Sequence, residues 1–270
     1  MDLGLQGKHG IVIGGSRGIG KAIAKELARE GVDLAIVARS REQLETAARE
    51  LEAETGRRVI PLVADVTSRE QVNDIVAQAA ERLGGLHILV NSGSLPGGST
   101  AGPLETISDE ALLSDFNVKY LGALRSARAV IPHFKKQGWG RIINVGGNSA
   151  RNAGNLSGGA RNVALVHLTK SLAVQVGRYG ITVNCIQPGT IRTERTAALI
   201  AARAAELRTT PEELEQRDFA HDSPHGNAIG RMLDAAEIAY LSAFLASDKA
   251  WAVTGEVVVA SGGAGRGVYY

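Results

Sequence analysis

Short apolar runs alternate along the chain with longer segments in which apolar residues recur at helical spacing. The runs are apolar throughout, which is typical of parallel strands that are buried on both faces. After the first run, Ile19, Ile23 and Leu27 recur every four residues and define one buried helix face. The pattern predicts an α/β fold, a doubly wound seven-stranded parallel sheet with helices on both faces. The predicted strands are Gly10–Ile13, Leu34–Val37, Val59–Ala64, Leu86–Val90, Arg141–Val145, Ile181–Ile186 and Glu256–Ala260.

One stretch, residues 193–230, departs from this regular alternation. We predict helices over Ala197–Leu207 and Pro211–Phe219, the second with Thr210 as its N-cap. We interpret the stretch as a substrate lid inserted into a single domain that spans residues 1–270. In the third strand, Pro61 removes a backbone donor, which predicts a sheet edge or a strand start at that point.

Composition narrows the functional classes. The chain has 270 residues, of which 44% are hydrophobic, and its formal net charge is +2. Such a chain can bury one large core, and its balanced charge predicts neither a nucleic-acid partner nor an anionic-membrane surface. It shows no signal-peptide pattern and no apolar stretch of the ~20 residues that span a bilayer, so we expect a cytoplasmic protein. Cys185 lies in an apolar run and is interpreted as a buried hydrophobic residue.

A glycine-rich loop, Gly14-Gly-Ser-Arg-Gly-Ile-Gly20, follows the first strand and opens into the first helix. Glycines at positions 14, 18 and 20 let the backbone turn sharply and let a pyrophosphate approach the helix N-terminus. There, free N–H groups and the helix dipole favour negative charge. In this strand-to-helix context the motif predicts a dinucleotide site.

The end of the second strand distinguishes between the two nicotinamide cofactors. NAD-preferring proteins carry an acidic residue there, whereas this chain has Ala38-Arg39-Ser40. No carboxylate repels a 2′-phosphate, and Arg39 together with Arg17 can bind one through charge-assisted hydrogen bonds. The predicted cofactor is NADP(H); the alternative is that both arginines are solvated surface charges.

The glycine loop resembles the T-G-x-x-x-G-x-G motif of the short-chain dehydrogenase/reductase family, with Ile13 in place of the threonine. Resemblance extends along the whole chain and implies a Rossmann-type domain. It implies that Asp65-Val66 contacts adenine, that Asn117 belongs to the catalytic tetrad, and that Pro188-Gly189 with Thr193 holds the nicotinamide carboxamide. With the loop and the arginines, the predicted nucleotide-binding residues are Gly14, Ser16, Arg17, Gly18, Ile19, Gly20, Ala38, Arg39, Ser40, Asp65, Val66, Asn91, Gly93, Asn162, Pro188, Gly189, Ile191 and Thr193.

Three positions depart from the family's catalytic pattern. Gly147 stands where the family has a serine that polarises the substrate carbonyl, and Gly158 and Asn162 stand where it has the tyrosine and lysine of Y-x-x-x-K. Glycine cannot donate a proton, a step that typically contributes ~10²–10⁴-fold. Asn162 can still hydrogen-bond the ribose. The remaining candidate catalytic residues are Asn117 and Ser149.

Other polar residues near the predicted pocket have less specific interpretations. Ser157 is predicted to cap a helix over Ala160–Arg178, and His167, within that helix, is predicted to face a packing surface. Three arginines are either solvated or able to pair with an anionic substrate: Arg151, Arg161 and Arg192.

The sequence favours an NADP(H)-binding oxidoreductase that acts on a small-molecule carbonyl or alcohol by a non-standard proton route. Two alternatives stay open: a non-redox enzyme that eliminates or isomerises, and a catalytically inactive nucleotide-binding or oligomer subunit. The resemblance implies a homo-oligomer, a tetramer or dimer, paired through Asp109–Pro132 and Ala160–Tyr179. His221-x-x-x-His225 lacks a third ligand, so no metal is expected, and Gly97-Gly98 forms either a mobile loop near the pocket or a turn.

Overall fold

A computed structural model describes residues 2–95, 104–220, 223 and 226–265. It contains a seven-stranded, fully parallel sheet in the order β3-β2-β1-β4-β5-β6-β9 and a small parallel pair, β7-β8. The predicted doubly wound seven-stranded sheet is thereby confirmed. The strands are β1 (His9–Ile13), β2 (Asp33–Ala38), β3 (Val59–Val63), β4 (Ile88–Asn91), β5 (Gly140–Val145), β6 (Ile181–Pro188), β7 (Ile191–Arg192), β8 (Leu233–Asp234) and β9 (Val257–Ala260).

Helices cover both faces of the sheet and produce two apolar cores. On one face the sheet packs against α1, α2 and α9, and on the other against α3, α5 and α6. None of the helices among the described residues is long and apolar enough to cross a membrane. The helices are α1 (Gly18–Arg29), α2 (Arg41–Thr55), α3 (Arg69–Leu83), α4 (Asp109–Phe116), α5 (Gly122–Gln137), α6 (Leu156–Val176), α7 (Glu194–Glu206), α8 (Pro211–Asp218) and α9 (Ala235–Ala246).

Strand order determines where a ligand can bind. From β1 the chain proceeds outward to β2 and β3, and it then returns to pair β4 with the opposite side of β1. In such sheets, ligands bind in the crevice beyond the carboxyl ends of the strands at this reversal. β3 is an edge strand, as the position of Pro61 predicted.

Two predicted helices have different bounds in the structure. The segment predicted as Asp109–Pro132 is two helices, α4 and α5, joined by a π-helical turn over Asn117–Leu121. Pro132 does not end the second one, since it lies inside α5. The helix predicted from Ala160 begins four residues earlier, at Leu156, because the side chain of Asn155 accepts a hydrogen bond from Gly158 N.

The stretch predicted as a lid contains α7 and α8, and the two strands of the β7–β8 pair flank it in the sequence. α7 begins at Glu194, three residues before the predicted start, because Thr193 forms a capping box with Thr196. Thr210 caps α8, as predicted, by accepting from Glu213 N. His221 and His225 lie outside the described residues, as does Gly97-Gly98.

Candidate functional site

A cavity of about 580 Å³ lies at the carboxyl ends of β1, β2, β4 and β5. We define the nucleotide half of this cavity by Gly14, Arg17, Gly18, Gly20 and Arg39, and the reaction half by Gly93, Lys119, Val145, Gly146 and Arg161. The predicted nucleotide-binding residues that line the cavity are Gly14, Ser16, Arg17, Gly18, Ile19, Gly20, Ala38, Arg39, Ser40, Asp65, Val66, Gly93 and Thr193.

Backbone geometry explains the glycines of the nucleotide half. Gly14 and Gly18 have φ of 80° and 55°, a region that favours glycine. A Cβ on Gly20 would lie 2.2 Å from the carbonyl oxygen of Gly14, so the first turn of α1 packs directly on the loop. The loop can therefore hold its shape only with these glycines, and it presents backbone N–H groups at the start of α1.

An anionic group already occupies this helix start. The backbone N of Gly18 donates to the Glu194 carboxylate, with N and Oε2 3.1 Å apart. Glu194 is the first residue of α7, so the predicted lid contacts the glycine loop. The Glu194 oxygen accepts a hydrogen bond from the same N–H group that a phosphate oxygen would use at this helix start.

Two arginines and one carboxylate surround the far end of the nucleotide half. The side chains of Arg17 and Arg39 are exposed and line the cavity. Burial opposes ionisation of Asp65, but hydrogen bonds from Thr67 and the nearby charge of Arg39 outweigh it and lower the pKa of Asp65. Asp65 is therefore an ionised acceptor after β3, where the resemblance places the adenine.

The positions that the resemblance aligns with the family's catalytic residues include a small polar cluster after β5. Asn162 Nδ2 donates to Ser149 Oγ over 2.9 Å, and a Cβ on Gly147 would lie 2.9 Å from the same nitrogen. Asn162 Oδ1 is buried and has no hydrogen-bond partner among the described residues. Asn117 lies in the π-helical turn, and its Oδ1 is also buried without a partner in the described part of the chain.

Asn117, Ser149 and Asn162 are absent from the described residues that line the cavity, as are four other predicted residues. Asn91 is buried and donates from Nδ2 to Asn144 Oδ1 over 2.9 Å. Gly189 packs against Ser261, whose Cα would lie 2.9 Å from an added Cβ. The two others, Pro188 and Ile191, are buried. These residues support the cavity rather than line it.

Two smaller predictions in α6 are wrong. Ser157 does not cap the helix; it lies in the first turn, fully buried, and its Oγ donates to Asp115. Asn155 is the N-cap because its longer side chain reaches Gly158 N. His167 does not face a packing surface but is exposed, since the buried face of α6 runs through Leu165, Leu168 and Leu172.

Protein groups already bind the three arginines considered for an anionic substrate. Arg161 Nη1 lies 2.7 Å from Asp115 Oδ1, in a pair that is almost wholly buried. Arg192 binds Glu215 and, over 3.2 Å, Asp234. Arg151 donates to Gln187 Oε1 over 3.0 Å. Carboxylates therefore compensate the charges of Arg161 and Arg192 in this structure, and an anionic substrate would have to compete with them.

Lys119 is a lining residue that the sequence interpretation missed. Its side chain is 7% exposed, and its Nζ lies 3.4 Å from the carbonyl oxygen of Gly93. A sequence signal exists: Ala123, Ala127 and Val130 mark the buried face of α5, and the same spacing extended backwards falls on Lys119 and Asp115.

The structure also bears on the single cysteine and on metal binding. Cys185 is buried, as predicted, and burial raises the pKa of its thiol to about 11. Over the part of the chain that the structure describes, no three His, Cys, Asp or Glu side chains are grouped as metal ligands would be.

Comparison with known proteins gives consistent results. A family model described as enoyl-(acyl carrier protein) reductase matches residues 13–265. The 3-oxoacyl-(acyl carrier protein) reductase of Pseudomonas aeruginosa is 36% identical over 264 residues, 97% of this chain and 98% of that protein. L-sorbose reductase of Gluconobacter frateurii, complexed with NADPH and L-sorbose, superposes with a TM-score of 0.92 at 28% identity and covers 99% of this chain and 100% of that chain. A short chain dehydrogenase of Burkholderia cenocepacia in complex with NADP gives 0.81 at 32% identity, covering 96% and 98%.

Proposed function

Because the chain belongs to the short-chain dehydrogenase/reductase family, we propose that it is an NADP(H)-dependent oxidoreductase acting on a small carbonyl or alcohol substrate. The observation that carries the proposal is the glycine loop, whose Gly18 N–H donates to a carboxylate inside a cavity that the exposed Arg17 and Arg39 help to line. The cofactors named for the similar solved structures, NADPH and NADP, agree with the cofactor predicted from Arg17 and Arg39.

The residues present fit NADP(H). The N–H that binds Glu194 is suited to a pyrophosphate oxygen, and the lack of a Cβ at Gly20 lets the first turn of α1 pack against the loop that presents it. Arg17 and Arg39 are positioned for the 2′-phosphate, with charge-assisted hydrogen bonds that NADH cannot form. Asp65 and Val66, which line the same cavity, are proposed to contact the adenine.

When bound, the nicotinamide supplies or accepts a hydride at the substrate carbon. The protein must then hold the substrate, exclude water and move one proton at the substrate oxygen. Gly147 and Gly158 have no side-chain group for that task, and Asn162 is neutral. We therefore propose that the proton follows a route different from the family's serine, tyrosine and lysine. Residues 193–230, which contact the glycine loop through Glu194, are proposed to act as the lid over the substrate.

A second candidate function is a nucleotide-binding subunit without redox turnover. It is favoured by the same glycines at positions 147 and 158, which leave the polar cluster after β5 without an acid. Under either candidate we propose a homo-oligomer, since α6 carries the exposed apolar side chains Val163 and Val174. A non-redox enzyme remains the third possibility and would convert substrate without consuming NADPH.

Single-turnover hydride transfer separates these candidates. Enzyme in excess over NADPH is mixed with an acetoacetyl thioester or with L-sorbose, probes taken from the substrates of similar proteins. The loss of the reduced-nicotinamide absorbance is then followed with time. The proposal expects complete oxidation of the bound NADPH by at least one probe. Saturable NADPH binding with no oxidation by either probe would contradict it and favour the non-redox subunit.

A further inference from the structure

The reaction half contains a buried amine that the family pattern does not account for. Lys119 lies on the inward face of the helical stretch that runs from α4 through the π-helical turn into α5. It is four residues after the buried Asp115 and four before the buried Ala123. Its side chain crosses the helix layer to line the cavity, and its Nζ ends near the carbonyl oxygen of Gly93, which follows β4.

Among the described residues, the charged and titratable groups that face Lys119 are Asp115, Arg161 and Cys185, and none of them forms an ion pair with its ammonium. Asp115 on α4 uses one carboxylate oxygen for Arg161, at 2.7 Å, and the other for Ser157. Arg161 on α6 adds a second positive charge, and Cys185 on β6 is a neutral thiol whose pKa is about 11. The Gly93 oxygen, 3.4 Å from Nζ, is beyond the usual hydrogen-bond range of about 2.7–3.2 Å.

The excess positive charge destabilises the ammonium form of Lys119 and favours loss of its proton. Burial, followed by repulsion from Arg161, lowers the pKa of Lys119 to about 8. An amine that holds its proton weakly near neutral pH is suited to general-acid work. Lys119 therefore combines access to the cavity with a transferable proton.

The other described groups that line the cavity do not meet both conditions. Four of these groups are the guanidinium groups of Arg17, Arg39, Arg161 and Arg195, and arginine side chains are not deprotonated in proteins, so they are unsuited to proton donation. Asp65 lies after β3, in the region proposed for adenine, and Glu194 is bonded to Gly18 N in the glycine loop. Ser92 and Ser94 carry neutral hydroxyl groups, which are far weaker acids than an ammonium.

We propose that Lys119 is the catalytic proton donor of this enzyme, replacing the acid that Gly158 cannot supply; this role rests on the proposed oxidoreductase function. In carbonyl reduction the π bond of the substrate C=O breaks as the hydride reaches carbon. The N–H bond at Nζ breaks, the proton joins the substrate oxygen, and the neutral amine regains a proton from solvent water. In alcohol oxidation the neutral amine accepts the same proton.

The first test is the pH dependence of single-turnover hydride transfer in Lys119→Met, Lys119→Arg and the control Lys170→Met. Lys170 is exposed on α6 and pairs with Glu256 over 3.6 Å. In the wild type and the control, reduction is flat below about pH 8 and falls above it, because the acid form is lost. Lys119→Met is slower by ~10²–10⁴-fold, and Lys119→Arg is slow with no fall near pH 8, because a guanidinium keeps its proton.

The second test needs no activity. Below pH 8 the folded protein bears the full cost of the buried ammonium, and this cost disappears as pH rises from about 8 to the unfolded value of ~10.4. The melting temperature of Lys119→Met minus that of the wild type therefore decreases as pH rises through this window. Lys170→Met gives a difference that does not change with pH. NADPH affinity, measured by fluorescence, stays within about threefold in Lys119→Met, since a transition-state contact is lost rather than a ground-state one.

The outcomes separate two failures. If the wild type oxidises NADPH but Lys119→Met has the same rate and the same pH profile, Lys119 is not the proton donor and only this inference is overturned. A melting-temperature difference that is independent of pH, with the pH 8 limb still present in Lys119→Met, overturns it as well. If the wild type itself transfers no hydride to either probe, the proposed oxidoreductase function fails, and the role of Lys119 fails with it.

Discussion

The two halves of the cavity are built from different kinds of atoms. In the nucleotide half, binding depends on backbone N–H groups and on the missing side chains of Gly14, Gly18 and Gly20. In the reaction half, we propose that chemistry depends on particular side chains, since the resemblance aligns Gly147 and Gly158 with the family's carbonyl-polarising serine and its tyrosine. A binding site that is formed by backbone N–H groups is retained when the side chains around it change. The comparison therefore teaches that nucleotide binding and proton transfer can diverge independently in one cavity.

Charge compensation also differs between the halves. In the nucleotide half the arginines are exposed and solvated, so they remain available to a phosphate. Beside the reaction half, the buried carboxylate of Asp115 pairs with Arg161. Lys119 has no ion-pair partner among the described residues. Removing a charge should therefore affect folding in the reaction half and binding in the nucleotide half.

The largest effect is expected for Asp115→Ala, which leaves Arg161 buried and uncompensated beside Lys119. We expect a loss of ~3–5 kcal/mol in the free energy of unfolding, measured by urea denaturation. The matched control is Glu50→Ala, which breaks the exposed pair with Lys21 and should cost at most ~1 kcal/mol. Equal losses in the two variants would show that the buried pair is not a special feature of the reaction half.

Gly20→Ala is expected to have the next largest effect, because its Cβ would lie 2.2 Å from the Gly14 carbonyl oxygen. The loop must shift, so NADPH affinity should fall on the order of a hundredfold and stability by ~2–3 kcal/mol. Gly177→Ala is the control, since no atom outside its own turn lies within 4 Å of its added Cβ. Unchanged NADPH binding in Gly20→Ala would disprove the role of the glycine loop.

Arg39→Ala tests cofactor preference at the rim of the nucleotide half. It should weaken NADPH binding by about 10–100-fold and leave NADH binding unchanged, because only the 2′-phosphate contact is lost. Arg41→Ala, an exposed arginine at the start of α2, is the control and should alter neither affinity. An equal loss of affinity for NADPH and NADH would show that Arg39 does not bind the 2′-phosphate.

The smallest effect concerns the carboxylate on the glycine loop. Glu194→Gln removes the anion that competes with a pyrophosphate for Gly18 N, so NADPH affinity should rise about two- to fivefold in a fluorescence titration. Glu212→Gln, in the first turn of α8, is the control. A fall in NADPH affinity would mean that Glu194 assists binding rather than competing with it.

Sequence patterns predicted most of the fold, and their failures have local physical causes. Apolar runs located the seven strands, and Pro61 indicated the sheet edge, because both signals depend on backbone requirements. The bounds of α6 were missed because Asn155 competes with Ser157 as a cap, and either residue type suits that position. Within the site, the glycine loop could be predicted from the sequence because its backbone conformation and close packing require glycine for steric reasons.

The reaction half was harder to predict because its charged residues pair with residues that are distant in the sequence. The partner of Arg161 is Asp115, 46 residues earlier and on another helix. The spacing from Ala123 and Ala127 places Lys119 on the buried face of the helix, but it does not show which groups lie opposite the side chain. Only the assembled helices show that Lys119 points into the cavity.

The measurement that tests the account most directly is a fluorescence titration of the purified chain with NADPH and, separately, with NADH. We predict saturable binding of NADPH at least about tenfold tighter than that of NADH, because Arg17 and Arg39 are proposed to contact the 2′-phosphate that NADH lacks. Binding of neither nucleotide, or equal binding of both, would contradict the account.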